Sequence, residues 1–265
     1  MLKIKNLKKT FNPNTVNQKI AMDNVNLHLE KGDFVTIIGS NGAGKSTLFN
    51  LIGGCFLSDE GQILLDGKDI TFMKEHKRAA HIGRLFQDPL KGTAPSMTIE
   101  ENLALCYMRS NKKILGIGVS KKEKELFRER LAQLDLGLED RMKSKMGLLS
   151  GGQRQAVTLL MSTLVAPKLL LLDEHTAALD PATADKVLNI TKEIVQEHKI
   201  TTMMITHNMQ SSLDLGNRTI MMDSGRVILD IKGKARSQMT VPDLLELFKK
   251  ESNKELDNDR MLLAK

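Results

Sequence analysis

Apolar and polar positions alternate in parts of "MLKIKNLKKTF", at Leu2 and Ile4, and of "IAMDNVNLHLEKGDFVTIIGS", at Val25, Leu27 and Leu29. That is the period of half-buried strands, and an Asn-Pro turn signal separates the two runs. Val35 to Ile38 is a short apolar run that ends at Gly39. The period then lengthens: "KSTLFNLIGG" has helical spacing, and its closing glycines suit a helix stop. Next, "GQILLDGKDI" predicts a hairpin turning at Asp66 and Gly67.

The texture changes near Asp88. "TIEENLALCYM" and "KKEKELFRERLAQLDL" predict helices with one charged and one apolar face, joined by the linker-like "RSNKKILGIGVS". We therefore expect residues 89–163 to form a helical subdomain, inserted into a core built from 1–88 and 164–240. That core resumes with "KLLLLDE", a continuous apolar run of the kind found in strands buried on both faces. A helix follows, with Asp180 as cap, Pro181 in its first turn, and Val187, Ile190, Ile194 and Val195 at helical spacing. "ITTMMITH" predicts another buried strand, and "RTIMMDSGRVILDI" a hairpin at Ser224 and Gly225. Residues 241–265 contain one amphipathic helix, "TVPDLLELFKK", and a polar tail expected to fray. Strands alternating with helices point to α/β architecture with a mainly parallel sheet.

Composition narrows the function only modestly. The 265 residues suffice for a large core, and no low-complexity tract interrupts them. Two cysteines, Cys55 and Cys106, match no metal or disulfide spacing and favour a reducing compartment. No apolar run approaches the roughly 18 residues of a membrane span, and the N-terminus lacks a signal-peptide core, so a soluble protein is expected. The net charge of +7 fits an anionic partner, but with 3% aromatics and no nucleic-acid motif, direct nucleic-acid binding is not expected.

Three motifs carry the chemistry. "GSNGAGKS", Gly39, Ser40, Asn41, Gly42, Ala43, Gly44, Lys45 and Ser46, fits the complete G-x-x-x-x-G-K-[ST] pattern between a strand and a helix. Its glycines let backbone amides surround phosphate oxygens, and the helix N-terminus adds its dipole. Lys45 is expected on the terminal phosphates, Ser46 on Mg2+, and Thr47 on a further phosphate oxygen. Downstream, Asp173 and Glu174 end the "LLLL" strand, where ligand sites of parallel sheets open. Asp173 is suited to hold Mg2+ and Glu174 to activate water as general base. Finally, "LLSGGQRQAV" sets a glycine pair where a helix is about to start, although each glycine weakens a helix interior by about 1 kcal/mol relative to alanine. Ser150 can simply cap that helix, with the glycines in the turn.

Together "GSNGAGKS", "LFQDP", "LLSGGQ", "LLLLDEHTAALD" and "ITHNM" resemble the ATP-binding subunit of an ABC transporter, over nearly the whole chain. "LSGGQ" discriminates, since many other nucleotide enzymes share the phosphate loop and acidic strand. The resemblance implies a P-loop ATPase core with an antiparallel β subdomain and the inserted helical subdomain. It implies that Ser150, Gly151, Gly152 and Gln153 complete the ATP site of a second copy in a head-to-tail homodimer. Gln87 resembles the switch glutamine that touches Mg2+ or the attacking water. His207 resembles the histidine on the γ-phosphate, and Phe11 stands where an aromatic stacks on adenine, although it could instead be a core residue. Asp180 resembles the carboxylate that crosses between paired sites, and the same residue could cap its helix. One departure is His175, where the family usually has proline, leaving the backbone freer and an imidazole near the base.

The role implied is an Mg-dependent ATPase whose closure and reopening drive transport. With no span in the chain, separate membrane permease subunits are expected, together with an extracytoplasmic solute receptor. That places the subunit in the cytoplasm, peripheral on the inner face of the membrane. The resemblance is closer to amino-acid importers than to sugar importers. An extrusion or lipid-release complex is the alternative, and a soluble non-transport ABC ATPase a more distant one.

Overall fold

The structure, a computed structural model, describes residues 1–88, 90–110 and 119–252. Most of the linker-like stretch 109–120, with Lys112 and Lys113, and the polar tail beyond 252 lie outside the described residues. The chain divides into two compact units, Met1–Ile82 with Ile200–Lys265, and Gly83–Lys199.

The first unit opens with strands β1 (Leu2–Phe11), β2 (Lys19–Leu29) and β3 (Phe34–Gly39), then helix α1 (Lys45–Gly53). β4 (Glu60–Leu65), β5 (Lys68–Asp69) and a short α2 (Glu75–Arg78) follow, and β6 (Ile82–Leu85) carries the chain into the second unit. That unit holds α3 (Ile99–Ser110), α4 (Lys121–Ala132), a 3-10 turn (Met146–Leu148), α5 (Gly151–Thr163), β7 (Leu169–Asp173) and α6 (Pro181–His198). The chain returns to the first unit through β8 (Thr201–Ile205), α7 (Met209–Asp214), β9 (Arg218–Asp223), β10 (Arg226–Lys232), α8 (Lys234–Ser237) and α9 (Val241–Ser252).

In the first unit β1 pairs antiparallel with both β2 and β4, and β4 with β5, giving a four-stranded antiparallel sheet. A second sheet runs β10-β9-β3-β8, in which β3 is parallel to both neighbours and β10 closes one side antiparallel. Every residue of β3, β8 and β9 is buried, the apolar majority together with polar residues such as Thr36, Thr202 and Thr219. Both hairpins turn where expected. Asp66 and Gly67 have φ of 49° and 76°, and Ser224 and Gly225 φ of 49° and 78°. Two successive positive φ values give the turn whose twist matches the flanking strands.

In the second unit all five residues of β7 are buried, and α5 buries nine of its thirteen residues. Helix starts there repeat one chemistry. Thr98 with Glu101, Ser120 with Glu123, and Ser150 with Gln153 each exchange side-chain and backbone hydrogen bonds. These boxes satisfy amides that the helix cannot bond internally. α4 stops at Ala132, short of its apolar-periodic stretch, because Asp135 turns the chain at φ 52°. Among the described residues no helix is long and apolar enough to cross a membrane.

Candidate functional site

The phosphate loop lies in the first unit, between the end of β3 and the start of α1. Gly39 and Gly44 carry φ of 148° and 100°. A side chain on Gly39 would also strike the Met222 carbonyl, and one on Gly44 the Ala21 carbonyl and Met22. Only glycine can thread the loop between these backbones. Lys45 is 5% exposed, and its Nζ donates to the carbonyls of Gly39 at 2.8 Å and Ser40 at 3.0 Å. The ammonium is thus folded into the loop that it serves. Ser40 Oγ donates to Asp223 Oδ1 at 3.2 Å, and the Gly225 amide to the Ala43 carbonyl at 3.0 Å, so the β9–β10 turn pins the loop's flank.

β8 runs parallel beside β3, pairing Ile37 with Ile205, and the Thr206 amide donates to the Ile37 carbonyl at 3.1 Å. His207 therefore leaves the sheet on the same edge as the phosphate loop. α7 starts immediately after it, capped by Asn208, whose Oδ1 accepts from the Ser211 amide at 2.7 Å.

Phe11 ends β1 and is half-buried, outside the core. Its ring meets Phe56 edge-on with centroids 5.3 Å apart, and Lys9 Nζ stands 5.7 Å from its centre. One face of such a ring can receive a base.

The second unit carries the other half of the candidate residues. Asp173, 8% exposed, ends β7, and Arg84 Nη2 lies 3.7 Å from its carboxylate. The same guanidinium stacks on Phe86, 4.5 Å from the ring centre. Gln87 follows two residues beyond β6. Glu174 has φ 47°, a left-handed conformation costly for a residue with a side chain and typical of functional turns. A proline at 175 would push residue 174 toward extended backbone, so His175 is compatible with this turn. The imidazole of His175 is buried, within 3.2 Å of Thr191 Oγ1, and burial pushes its pKa down to about 4. It is neutral at physiological pH and adds no charge beside Glu174.

Ser150 caps α5: its Oγ accepts from the Gln153 amide at 3.3 Å, and Gln153 Oε1 accepts from the Ser150 amide at 3.2 Å. Gly151 and Gly152 have ordinary helical backbone, so φ is not why they are glycines. Space is. A Cβ on Gly152 would collide with the Thr183 methyl, and one on Gly151 would press on Leu179 at 3.2 Å. Ser150 and Leu148 are both exposed, Leu148 at 74%. Asp180 caps α6, accepting from the Thr183 amide at 3.1 Å, and the Thr183 hydrogen bonds hold its carboxyl below the usual range.

Three further residues touch or border these motifs. Lys19 Nζ lies 3.7 Å from where a Gly42 Cβ would stand, adding charge beside the loop. Arg154 donates to the carbonyls of Met146, Gly147 and Leu149, fixing the chain that enters Ser150. Arg84 holds Asp173. None of them carries a sequence signal beyond a basic residue next to a motif.

The family model described as ABC transporter matches residues 22–177. A tyrosine transport ATP-binding protein of Clostridioides difficile is 46% identical over 254 residues, covering 94% of this chain and 98% of that protein. A methionine import ATP-binding protein of Staphylococcus aureus is 35% identical over 86% of this chain, which spans 64% of that protein's length. Among solved structures, a dimeric ATP-binding cassette in a post-hydrolysis state with ADP and Pi aligns at 30% identity and TM-score 0.75. That alignment covers 88% of this chain and 98% of the cassette.

Proposed function

Because the chain belongs to the ABC transporter family, as an ATP-binding subunit whose hydrolysis of ATP energises transport, we propose that it drives import of an amino acid. In this reading two copies pair head to tail and act on separate permease subunits fed by an extracytoplasmic receptor. The subunit then works on the cytoplasmic face of the membrane. The observation that carries the reading is the folded phosphate loop: glycine backbone in left-handed geometry, Lys45 buried within it, and His207 leaving the adjacent parallel strand on the same edge. Amino-acid specificity is supported by the tyrosine and methionine transport relatives.

The division of labour follows from the residues. Loop amides of residues 39–46 and the start of α1 receive the β- and γ-phosphates. Lys45 exchanges its bonds to Gly39 and Ser40 carbonyls for phosphate oxygens, so binding costs it no new desolvation. Ser46, Asp173 and Gln87 offer a hydroxyl, a carboxylate and an amide oxygen, an all-oxygen set suited to Mg2+. Bound there, the ion would neutralise charge on the phosphates. Glu174 takes the proton as water attacks the γ-phosphorus and the bond to ADP breaks, while His207 contacts the γ-phosphate. Phe11 stacks on adenine and Thr47 contacts phosphate.

From the second copy, Ser150, Gly151, Gly152 and Gln153 close the site, and Asp180 borders it. Residues 89–163 act as the subdomain that carries this signature and, through 92–103, meets the permease.

Uptake into membrane vesicles tests the reading. The full chain with its copurified permease and receptor should accumulate labelled tyrosine or methionine only with ATP inside and only with Glu174 intact. Glu174-dependent ATP turnover without amino-acid uptake would remove the substrate class, and absence of turnover would remove the mechanism.

A further inference from the structure

Arg236 is the best-bonded buried cation of the C-terminal segment, and it serves no substrate. Only 8% exposed on α8, it donates through Nη2 to the carbonyls of Ser212 at 2.8 Å, Leu213 at 3.0 Å and Leu215. Its Nε donates to Thr219 Oγ1 at 2.9 Å. Ser212 and Leu213 belong to the last turn of α7 and Leu215 is the residue that follows it, a helix end where carbonyls lack intrahelical donors and the dipole favours a cation. A buried guanidinium is tolerated because its donors are matched this closely.

The other end of α7 is capped by Asn208, the residue after His207. The helix is only six residues long, so its two ends are about 9 Å apart and move as one body. Two further contacts tie it to the phosphate loop. Thr36 Oγ1, on β3 three residues before Gly39, lies 2.9 Å from the Ser212 carbonyl and 2.9 Å from Thr219 Oγ1. Met209, at the front of α7, packs in one buried cluster with Ile38 of β3 and with Leu244 and Phe248 of α9. The C-terminal segment thus grips α7 by its back carbonyls and cushions its front.

We propose that Arg236 is a positioning residue for hydrolysis: by holding the C-terminal carbonyls of α7 it sets where His207 stands at the edge of the phosphate loop. This rests on the role given to His207 above. It assigns α8 and α9 a part in the ATPase cycle rather than in folding alone.

Arg236→Met and Arg236→Lys in the full chain test it. The Met variant should lose about tenfold to a hundredfold in kcat, the cost of a displacement near 1 Å. Its KM for ATP should stay within about twofold, since uniform binding is untouched. In a His207→Ala background the same substitution should add no further loss, because both act through one group. If it adds its full loss there, or changes KM alone, the proposal is overturned while the role of His207 stands. A His207→Ala protein with full turnover would remove that role and this proposal with it. Should the Met variant not fold, the Lys variant is read by imidazole NMR: the His207 resonances should shift and those of the other histidines should not. An unmoved His207 overturns the proposal.

Discussion

The phosphate loop places glycines before a helix and the signature stretch places them in a helix's first turn, for different physical reasons. Before α1 the demand is on the backbone: Gly39 and Gly44 have positive φ and lie against carbonyl oxygens that cannot move aside. At the start of α5 the backbone is ordinary helix, and the demand is for room against the side chains of Thr183 and Leu179. The start of α4 sharpens the contrast. Ser120 and Glu123 form the same box as Ser150 and Gln153, yet two lysines fill the positions between them. The box alone therefore does not require glycine. A helix start stripped of side chains, with an exposed serine at its tip, is what a partner's phosphate could approach.

Lys45→Ala should have the largest effect. Removing one donor to a transition-state phosphate costs about 100-fold to 1,000-fold in kcat, measured by phosphate release at saturating ATP. Gly39→Ala comes next, destabilising the fold by about 3 kcal/mol through backbone strain and the Met222 contact, read from denaturant midpoints. Gly152→Ala should cost about 1 kcal/mol or less, because helix preference offsets part of the collision. Thr183→Ser, which deletes the obstructing methyl, should restore that loss, whereas no side-chain change can rescue Gly39→Ala.

Ser150→Ala and Ser120→Ala each lose a cap worth about 1 kcal/mol. Only the first should slow turnover. The smallest effect concerns acid. Glu100 is buried, which works against its charge, but Lys124 at 3.0 Å and Lys143 at 3.2 Å outweigh this and hold its carboxyl below the usual range. A carboxyl lowered in the folded state stabilises fully above its unfolded pKa, and the gain disappears as pH falls through the folded value. Thermal midpoints should therefore drop below about pH 4.5, and Glu100→Gln should flatten that slope.

Much of the fold was legible wherever one period dominated. The buried runs of β3, β7 and β8, the Pro181 start of α6 and both hairpin turns follow from local chemistry. β6 did not stand out: four residues, "IGRL", with a glycine inside and no flanking turn signal, have too little pattern. α7, with six residues, is also short, and part of its support comes from Arg236, 22 residues beyond its end in sequence. In the candidate site, the placement of residues 39–46 between β3 and α1 and of Asp173 at the end of β7 was readable from the motifs. Arg84, Lys19, Arg154 and Arg236 were not, since a lone basic residue acquires meaning only from the carboxylate or carbonyls that folding brings to it. His175 illustrates the reverse. The sequence sets an imidazole next to the base, and the fold turns it inward to Thr191, neutral.

The most direct measurement is the mass of the Glu174→Gln chain in solution, with and without MgATP, alone and combined with Ser150→Arg. A site shared between copies requires dimers with ATP and monomers without it, and requires that Ser150→Arg block association while leaving each chain folded. Monomers at saturating ATP, or dimers indifferent to the arginine, contradict it.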